Sequence, residues 1–249
     1  MPTQNSSQRR SGARTAVVWD ALQGVLSSVP ADATGDKAAS VIDIGGGTGG
    51  FAVRVAGLGH RVTVIDPSPD ALAALGRRAD ESGVAALVTG QQGDLANLFD
   101  LVPAHSADVV LCHGVLEIVD DPADALATIA RVLRPGGRLS LLVSQRHATV
   151  FARAMAGHFG QARALLDDPA AGGATRRFTV DEVSSVLDEA GFDTESVHAV
   201  RVFADLVPSS LVDLEPGAAA ALVELEQAVA DRPEYFPLAT QLHLIATRH

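Results

Sequence analysis

Cysteine is nearly absent: Cys112 stands alone in 249 residues, which excludes an internal disulfide, a cysteine zinc cage and an iron–sulfur cluster. Lysine is as scarce, with Lys37 the single example, so the basic side of the chain is almost all arginine. Aromatic residues make up 4%, with one tryptophan, Trp19, and one tyrosine, Tyr235. The interleaved aromatic and basic residues that grip single-stranded nucleic acid are missing. No apolar run approaches the ~18 residues of a membrane span, and the opening MPTQNSSQRRSGAR has no apolar stretch of signal-peptide type. A cytoplasmic protein with no membrane contact is expected. Positive charge is in deficit: 19 Lys+Arg against 30 Asp+Glu leave −11, a field that repels polyanions unless a local basic patch offsets it.

What is present is a globular composition, 47% hydrophobic, with 23 Gly and 12 Pro. Residues 1–13 read as a flexible leader and 14–249 as a single domain. From Arg14 to Val29, the residues Val17, Val18, Leu22, Val25, Leu26 and Val29 recur at helical spacing, and Pro30 ends the helix. Short apolar runs of buried-strand type follow at Val41–Ile44, Val62–Ile65, Ala86–Val88 and Val109–Cys112, with helix-period segments between the first three. That alternation predicts an α/β fold built on a parallel sheet with right-handed crossovers. Asp121-Pro122 reads as a helix N-cap and first helical residue, the helix running to about Leu133 before Pro135-Gly136-Gly137 stops it. A fifth strand over Arg138–Ser144, a capping box at Thr179–Glu182, a sixth strand near Val197–Phe203, a helix near Ala218–Ala230 and a final strand over Leu242–Ala246 complete the chain. An insertion at about 147–178, with one helix over Thr149–Leu166, reads as a lid-like cover.

The densest chemical signal is Asp43-Ile-Gly45-Gly46-Gly47-Thr-Gly49-Gly50, between a strand and a helix. Glycines there let the backbone turn sharply and let a ligand approach without meeting a Cβ atom. Gly45, Gly47 and Gly50 also satisfy the dinucleotide pattern G-x-G-x-x-G, so a nicotinamide-dependent oxidoreductase stays open at this point. Asp66, followed by Pro67 at the end of the second strand, is placed to accept hydrogen bonds from ribose hydroxyls in either case. Asp43 separates the two classes: a carboxylate beside the glycine turn repels a pyrophosphate but attracts the ammonium and sulfonium charges of S-adenosylmethionine. Gly93-Asp94, past the third strand, places a third carboxylate where adenine's exocyclic amine can donate to it.

DIGGGTG, the ribose acid, Gly93-Asp94 and LRPGG resemble the class I S-adenosylmethionine-dependent methyltransferases, most strongly over residues 38–145. The resemblance implies a Rossmann-like, seven-stranded, mostly parallel sheet in a three-layer α/β/α arrangement. It also implies S-adenosylmethionine as methyl donor, S-adenosylhomocysteine as product, and no metal. HGVLEIVDDP (113–122), RAMAGHF (153–159), VRVFADLV (200–207) and ELEQ…YFPLATQLHLIATRH further resemble the bacterial tRNA 5-carboxymethoxyuridine methyltransferases. By that resemblance Arg14, Gly45, Gly46, Asp66, Gly93, Asp94 and His113 touch the cofactor, and Gly47, Gly49 and Pro67 belong to the same cradle. The expected partner is a small-molecule or modified-nucleoside acceptor. Alternatives are tRNA, against which the acidic balance argues, and a homodimeric second copy.

Methyl transfer is an in-line displacement at a carbon already activated by sulfonium, so the protein chiefly aligns the reactants in a dry pocket. A carboxylate acceptor is ionised at pH 7 and needs an orienting cation, for which Arg201 is the candidate. A hydroxyl acceptor needs a base, and His113 is the first candidate, with Glu117 after it. Cys112 reads as a small buried hydrophobe. The remaining alternative is a catalytically silent protein that binds the cofactor as a scaffold or sensor.

Overall fold

The computed structural model describes residues 6–30, 38–171, 175–214 and 217–249, with side chains from residue 15 onward in the first helix and none given at 209 and 213–214. Helix α1 spans Ser6–Ser28 and buries Val17, Val18, Leu22, Val25 and Leu26, the face its spacing predicted. It begins within the segment expected as a leader; nothing in QRRSGA breaks a helix except one glycine, and residues 1–5 lie outside the described residues.

Strands β1 (Ser40–Ile44), β2 (Arg61–Asp66), β3 (Val88–Gln92), β4 (Ala107–His113), β5 (Leu133–Ser144), β6 (Phe192–Val200) and β7 (Gln241–Arg248) form one sheet in the order β3-β2-β1-β4-β5-β7-β6. The pairs β1–β2, β1–β4 and β2–β3 are parallel, with Ile44 opposite Ile65 and Cys112. This is the mostly parallel class I methyltransferase-type sheet, and its strand order reverses between β1 and β4, where ligands gather in open α/β sheets. Near-continuous apolar runs suit strands covered on both faces, and Val41, Ile42, Ile44, Val64, Ile65 and Val109–Cys112 are buried.

By compactness the chain divides into two units. The first comprises Gly24–Leu141, Ser184–Glu195 and Ile245–His249. It holds α2 (Ala52–Ala56), α3 (Pro69–Glu81), α4 (Leu98–Leu101) and α5 (Pro122–Val132). Ser68 caps α3 by accepting from Ala71 N–H (3.2 Å), with Pro69 next in line. Asp121 caps α5 by accepting from Ala123 and Asp124 N–H (2.8 and 3.2 Å), with Pro122 as the first helical residue. The third strand departs from expectation: Ala85–Leu87 form a turn of 3-10 helix, and the strand is the polar Val88–Gln92, because a sheet-edge position needs no apolar run. At the other end of α5 the strand starts at Leu133 rather than Arg138 and carries Pro135-Gly136-Gly137 within it.

The second unit comprises Met1–Gln23, Leu142–Val183 and Ser196–Leu244. The single insertion helix expected over Thr149–Leu166 is two, α6 (Arg146–Met155) and α7 (Phe159–Asp167). The break falls at Gly157, whose φ of 77° a helix interior does not accept. Thr179 and Glu182 form the expected capping box at the start of α8 (Val180–Glu189), Thr179 N–H to Glu182 Oε2 at 2.9 Å and Glu182 N–H to Thr179 Oγ1 at 3.2 Å. Strand β6 ends at Val200, three residues before the expected limit, because Arg201 takes a left-handed conformation (φ 61°). Beyond it lie α9 (Ser209–Leu214) and α10 (Ala218–Val229), and a core of Ala199, Val202, Val229 and Ala239 is closed by Phe203, Tyr235 and Phe236.

Candidate active site

Within the first unit the turn after β1 is shaped by glycine. A Cβ on Gly45 (φ 68°) would lie 2.5 Å from the Val115 side chain, and one on Gly46 would lie 2.5 Å from Asp43 Oδ2. Gly46 is therefore glycine because Asp43 folds under it. Asp66, at the end of β2, stitches three strand ends together. Its Oδ2 accepts from Gly47 N–H and its Oδ1 from Ser68 N–H, both at 2.9 Å, while its carbonyl accepts from Gly93 N–H at 3.2 Å. Each carboxylate oxygen keeps a second lone pair for another donor.

Gly45, Pro67, Gly93 and Asp94 line a cavity of about 540 Å³ at the carboxyl ends of β1, β2 and β3, a size suited to a small organic ligand. Its floor and far wall are Ile44, Ile65, Leu95, Val115, Ile118 and Thr128, and its rim carries Asp120, Asp121 and Asp124. In the sequence the stretch 115–128 offers Glu117 as a base candidate and Asp121-Pro122 as a helix start, and neither marks it as a cavity wall. Asp121 does cap α5 and also faces the cavity, and the run of acids after the fourth strand is the signal for it. Asp94 has a similar double duty: its Oδ1 accepts from Ala96 N–H (2.9 Å) and caps the turn Leu95–Asn97.

Asp43 lies behind the glycine turn, 3% exposed. Burial, with the Asp66 carboxylate adding to it, pushes its pKa up to about 7. A cation nearby pulls the same group back toward ionisation, so its charge depends on what it faces. His113, at the end of β4, is bonded through Nε2 to Ser140 Oγ (2.9 Å) and meets the Phe51 ring edge-on at 4.9 Å. Burial pushes its pKa down to about 4, so the imidazole is neutral at physiological pH. Cys112 is fully buried and its thiol is pushed up to about 12 by burial, with Glu117 and Asp43 adding to it, which makes it an inert core residue. Glu117 is itself 5% exposed.

Arg201 belongs to the second unit. It stands just beyond β6 rather than within a strand, with Nη2 on Asp205 Oδ2 (2.5 Å) and Nη1 on Gln241 Oε1 (3.3 Å). The side chain of Arg14 lies outside the described residues. Among the described residues, no group of three or more His, Cys, Asp or Glu is arranged to hold a metal ion, and no helix is long and apolar enough to cross a membrane.

Residues 42–141 match the family model of the methyltransferase domain, and that match spans the glycine turn, Asp66, Asp94 and the whole cavity. Over 240 residues the chain is 29% identical to the tRNA 5-carboxymethoxyuridine methyltransferase of Escherichia coli K12, covering 94% of this chain and 88% of that one. The chain carries a methyltransferase domain on the class I fold of the S-adenosylmethionine-dependent methyltransferases. The methyltransferase is also 35% identical to a ubiquinone biosynthesis O-methyltransferase of Thiobacillus denitrificans, over 47% of this chain and 49% of the other. A crystal structure of an S-adenosylmethionine-dependent methyltransferase from Mesorhizobium loti superposes with a TM-score of 0.62 at 24% identity, covering 95% of this chain and 100% of that one, which shows the shared fold. The cavity suits the donor chemically: Gly45 and Gly93 in its lining, acids able to accept from an amine or hydroxyls (Asp94, Asp120, Asp121, Asp124), and apolar walls for a purine.

Proposed function

We propose that the methyltransferase acts on an oxygen nucleophile, a carboxylate in particular, carried by a small metabolite or a modified nucleoside. The observation that carries this reading is His113. An imidazole whose pKa lies near 4 is a poor base for a hydroxyl, whose pKa is about 10 even for a phenol, whereas a carboxylate is ionised from about pH 4 upward and needs none. What a carboxylate needs is orientation, and Arg201 is proposed to supply it through its planar guanidinium.

The donor brings a methyl carbon activated by an adjacent sulfonium. In this proposal Asp66 accepts from its ribose hydroxyls, Asp94 from its adenine amine, and Asp43 faces its positive charge. Gly45, Gly46, Gly47 and Gly49 let the backbone come close, Pro67 and Gly93 complete the cradle, and Arg14 and His113 are further donor contacts. The chain's work is to bind, align and keep water out.

The E. coli relative makes tRNA containing 5-carboxymethoxyuridine the first acceptor to test, with small carboxylates second. The net charge of −11 disfavours a polyanion, which gives the comparison its force. Incubating the protein with labelled S-adenosylmethionine and each acceptor pool decides the matter. Base-labile label, the mark of a methyl ester, is expected. Base-stable label alone, or none, rejects the carboxylate.

A further inference from the structure

The hairpin made by α6 and α7 is built inside out. A helix on a protein surface ordinarily turns its apolar stripe inward and its charges to water. In α6 no residue is fully buried, and the half-buried face carries Arg146, Val150 and Arg153, with Arg146 tied to Glu182 (Nη2 to Oε1, 2.8 Å). Phe151 and Met155, one turn apart, stand on the opposite face in solvent. The reversal is sharpest at the tip. Gly157 turns the chain, with His158 N–H on the Arg153 carbonyl and Ala162 N–H on the His158 carbonyl, both at 2.9 Å. Every residue from Met155 to Gln161 is exposed. Met155 and Phe159, at 69% and 71%, are the most exposed large apolar side chains among the described residues. Helix α7 buries Ala162 and Leu165 and leaves Phe159, Arg163 and Leu166 together on its outer face.

Charge and shape choose the partner. From Arg146 to Leu166 the chain has three arginines, two histidines and no acid, although it carries 30 acids and a net charge of −11. Arg163 is exposed and pairs with no acid among the described residues. An anionic surface that repels the molecule as a whole meets an acid-free projection here. An isologous contact with a second copy needs a broad self-complementary patch, which a projecting tip does not offer. Contact with RNA phosphates would put the arginines foremost, whereas here Met155 and Phe159 lead and Arg163 follows one turn behind. That order, apolar groups first and a cation at headgroup depth, suits the boundary of a bilayer. The expectation of no membrane contact rests on the lack of a spanning segment, which an interfacial hairpin does not need.

We propose that the α6–α7 hairpin docks the protein on anionic lipid, Met155 and Phe159 entering the headgroup boundary and Arg163 meeting the lipid phosphates. The surface is independent of which acceptor is methylated.

The test uses the whole protein and unilamellar vesicles, either of phosphatidylglycerol and phosphatidylcholine in equal parts or of phosphatidylcholine alone. The wild type is expected to sediment with the mixed vesicles at least about fivefold more strongly than with the neutral ones. Raising the salt from about 0.1 to about 1 M weakens that binding at least about threefold. The double change Met155→Ser and Phe159→Ser removes two exposed side chains, so the melting temperature holds and the Kd for S-adenosylhomocysteine stays within about twofold, while vesicle binding falls at least about tenfold. A second readout does not depend on that variant. Phe159→Cys is labelled with an environment-sensitive dye while Cys112 stays buried and unreactive, and the emission shifts to the blue on mixed vesicles and not on neutral ones. Absence of vesicle binding, binding that the serine changes leave intact, or a dye that reports water throughout overturns the proposal. A dimer in sedimentation velocity, or retention of bulk tRNA, that the serine changes abolish while vesicles stay unbound also overturns it and gives the tip to that partner.

Discussion

If Asp43 faces the positive charge of the donor, as proposed above, donor affinity is expected to depend on pH through it, and the size of the effect follows from its burial. With a pKa of about 7 in the folded protein, the carboxyl is about 97% protonated at pH 5.5 and half protonated at pH 7. A bound cation that favours the ionised form must first release that proton. If the bound pKa falls well below 5.5, the apparent affinity for S-adenosylmethionine rises about sixteenfold from pH 5.5 to pH 7. Staying below pH 7 leaves the donor's own amino group protonated, since an α-amine titrates near 7.7–8.0. His113, already neutral above about pH 5, adds nothing to the profile. Calorimetry in buffers of different ionisation enthalpy should count about one proton released per donor at pH 5.5 and about half at pH 7, and none for Asp43→Asn. The same group affects folding with a definite sign. An acid raised from 3.8 to about 7 contributes stability below pH 3.8 that is lost as pH rises through 7, about 4 kcal/mol in all. Asp43→Asn is therefore expected to melt higher than the wild type at pH 8, by a margin that shrinks toward pH 4, while binding the donor more weakly. A flat affinity profile with no proton release refutes the reasoning.

Asp66→Ala weakens S-adenosylhomocysteine binding at least tenfold, or about 1.4 kcal/mol, in calorimetry, and also lowers the melting temperature because two backbone N–H groups lose their acceptor. Gly46→Ala drives a methyl group into Asp43; thermal denaturation should show a loss of about 1–3 kcal/mol, with a parallel loss of donor affinity. At saturating donor, kcat should show no inflection between pH 6 and 8, since neither His113 nor a carboxylate acceptor titrates there. A step near pH 7 would point to a base and a hydroxyl acceptor.

The first half of the fold was legible because its signals are local and agree with one another. Val41–Ile44 and Val62–Ile65 are too apolar to be anything but covered strands, and Asp121-Pro122 caps and opens a helix at adjacent positions. The acids at the ends of β1, β2 and β3 were readable because strand ends in a parallel sheet converge. What escaped detection depended on partners distant in sequence. Val88–Gln92 is a strand only because β2 pairs with it, and Gly157 divides one amphipathic pattern into two helices. The turn at Arg201 is set by Glu226, 25 residues later, so no local pattern announces it. The cavity wall at 115–128 has no local signature, because Asp121 is already accounted for as a helix cap and its neighbours Asp120 and Asp124 read as solvent-facing acids.

The carboxylate of Asp66 bears on any attempt to redesign the enzyme for unnatural donors. Since both its oxygens already anchor neighbouring peptide groups, altering that side chain disturbs the scaffold before it alters selectivity. The wall from Val115 to Thr128 carries its variety on side chains around a helix start and leaves the strand junctions alone. Libraries aimed at new nucleoside analogues should begin there, at Ile118 and Thr128, and treat Asp66 as masonry.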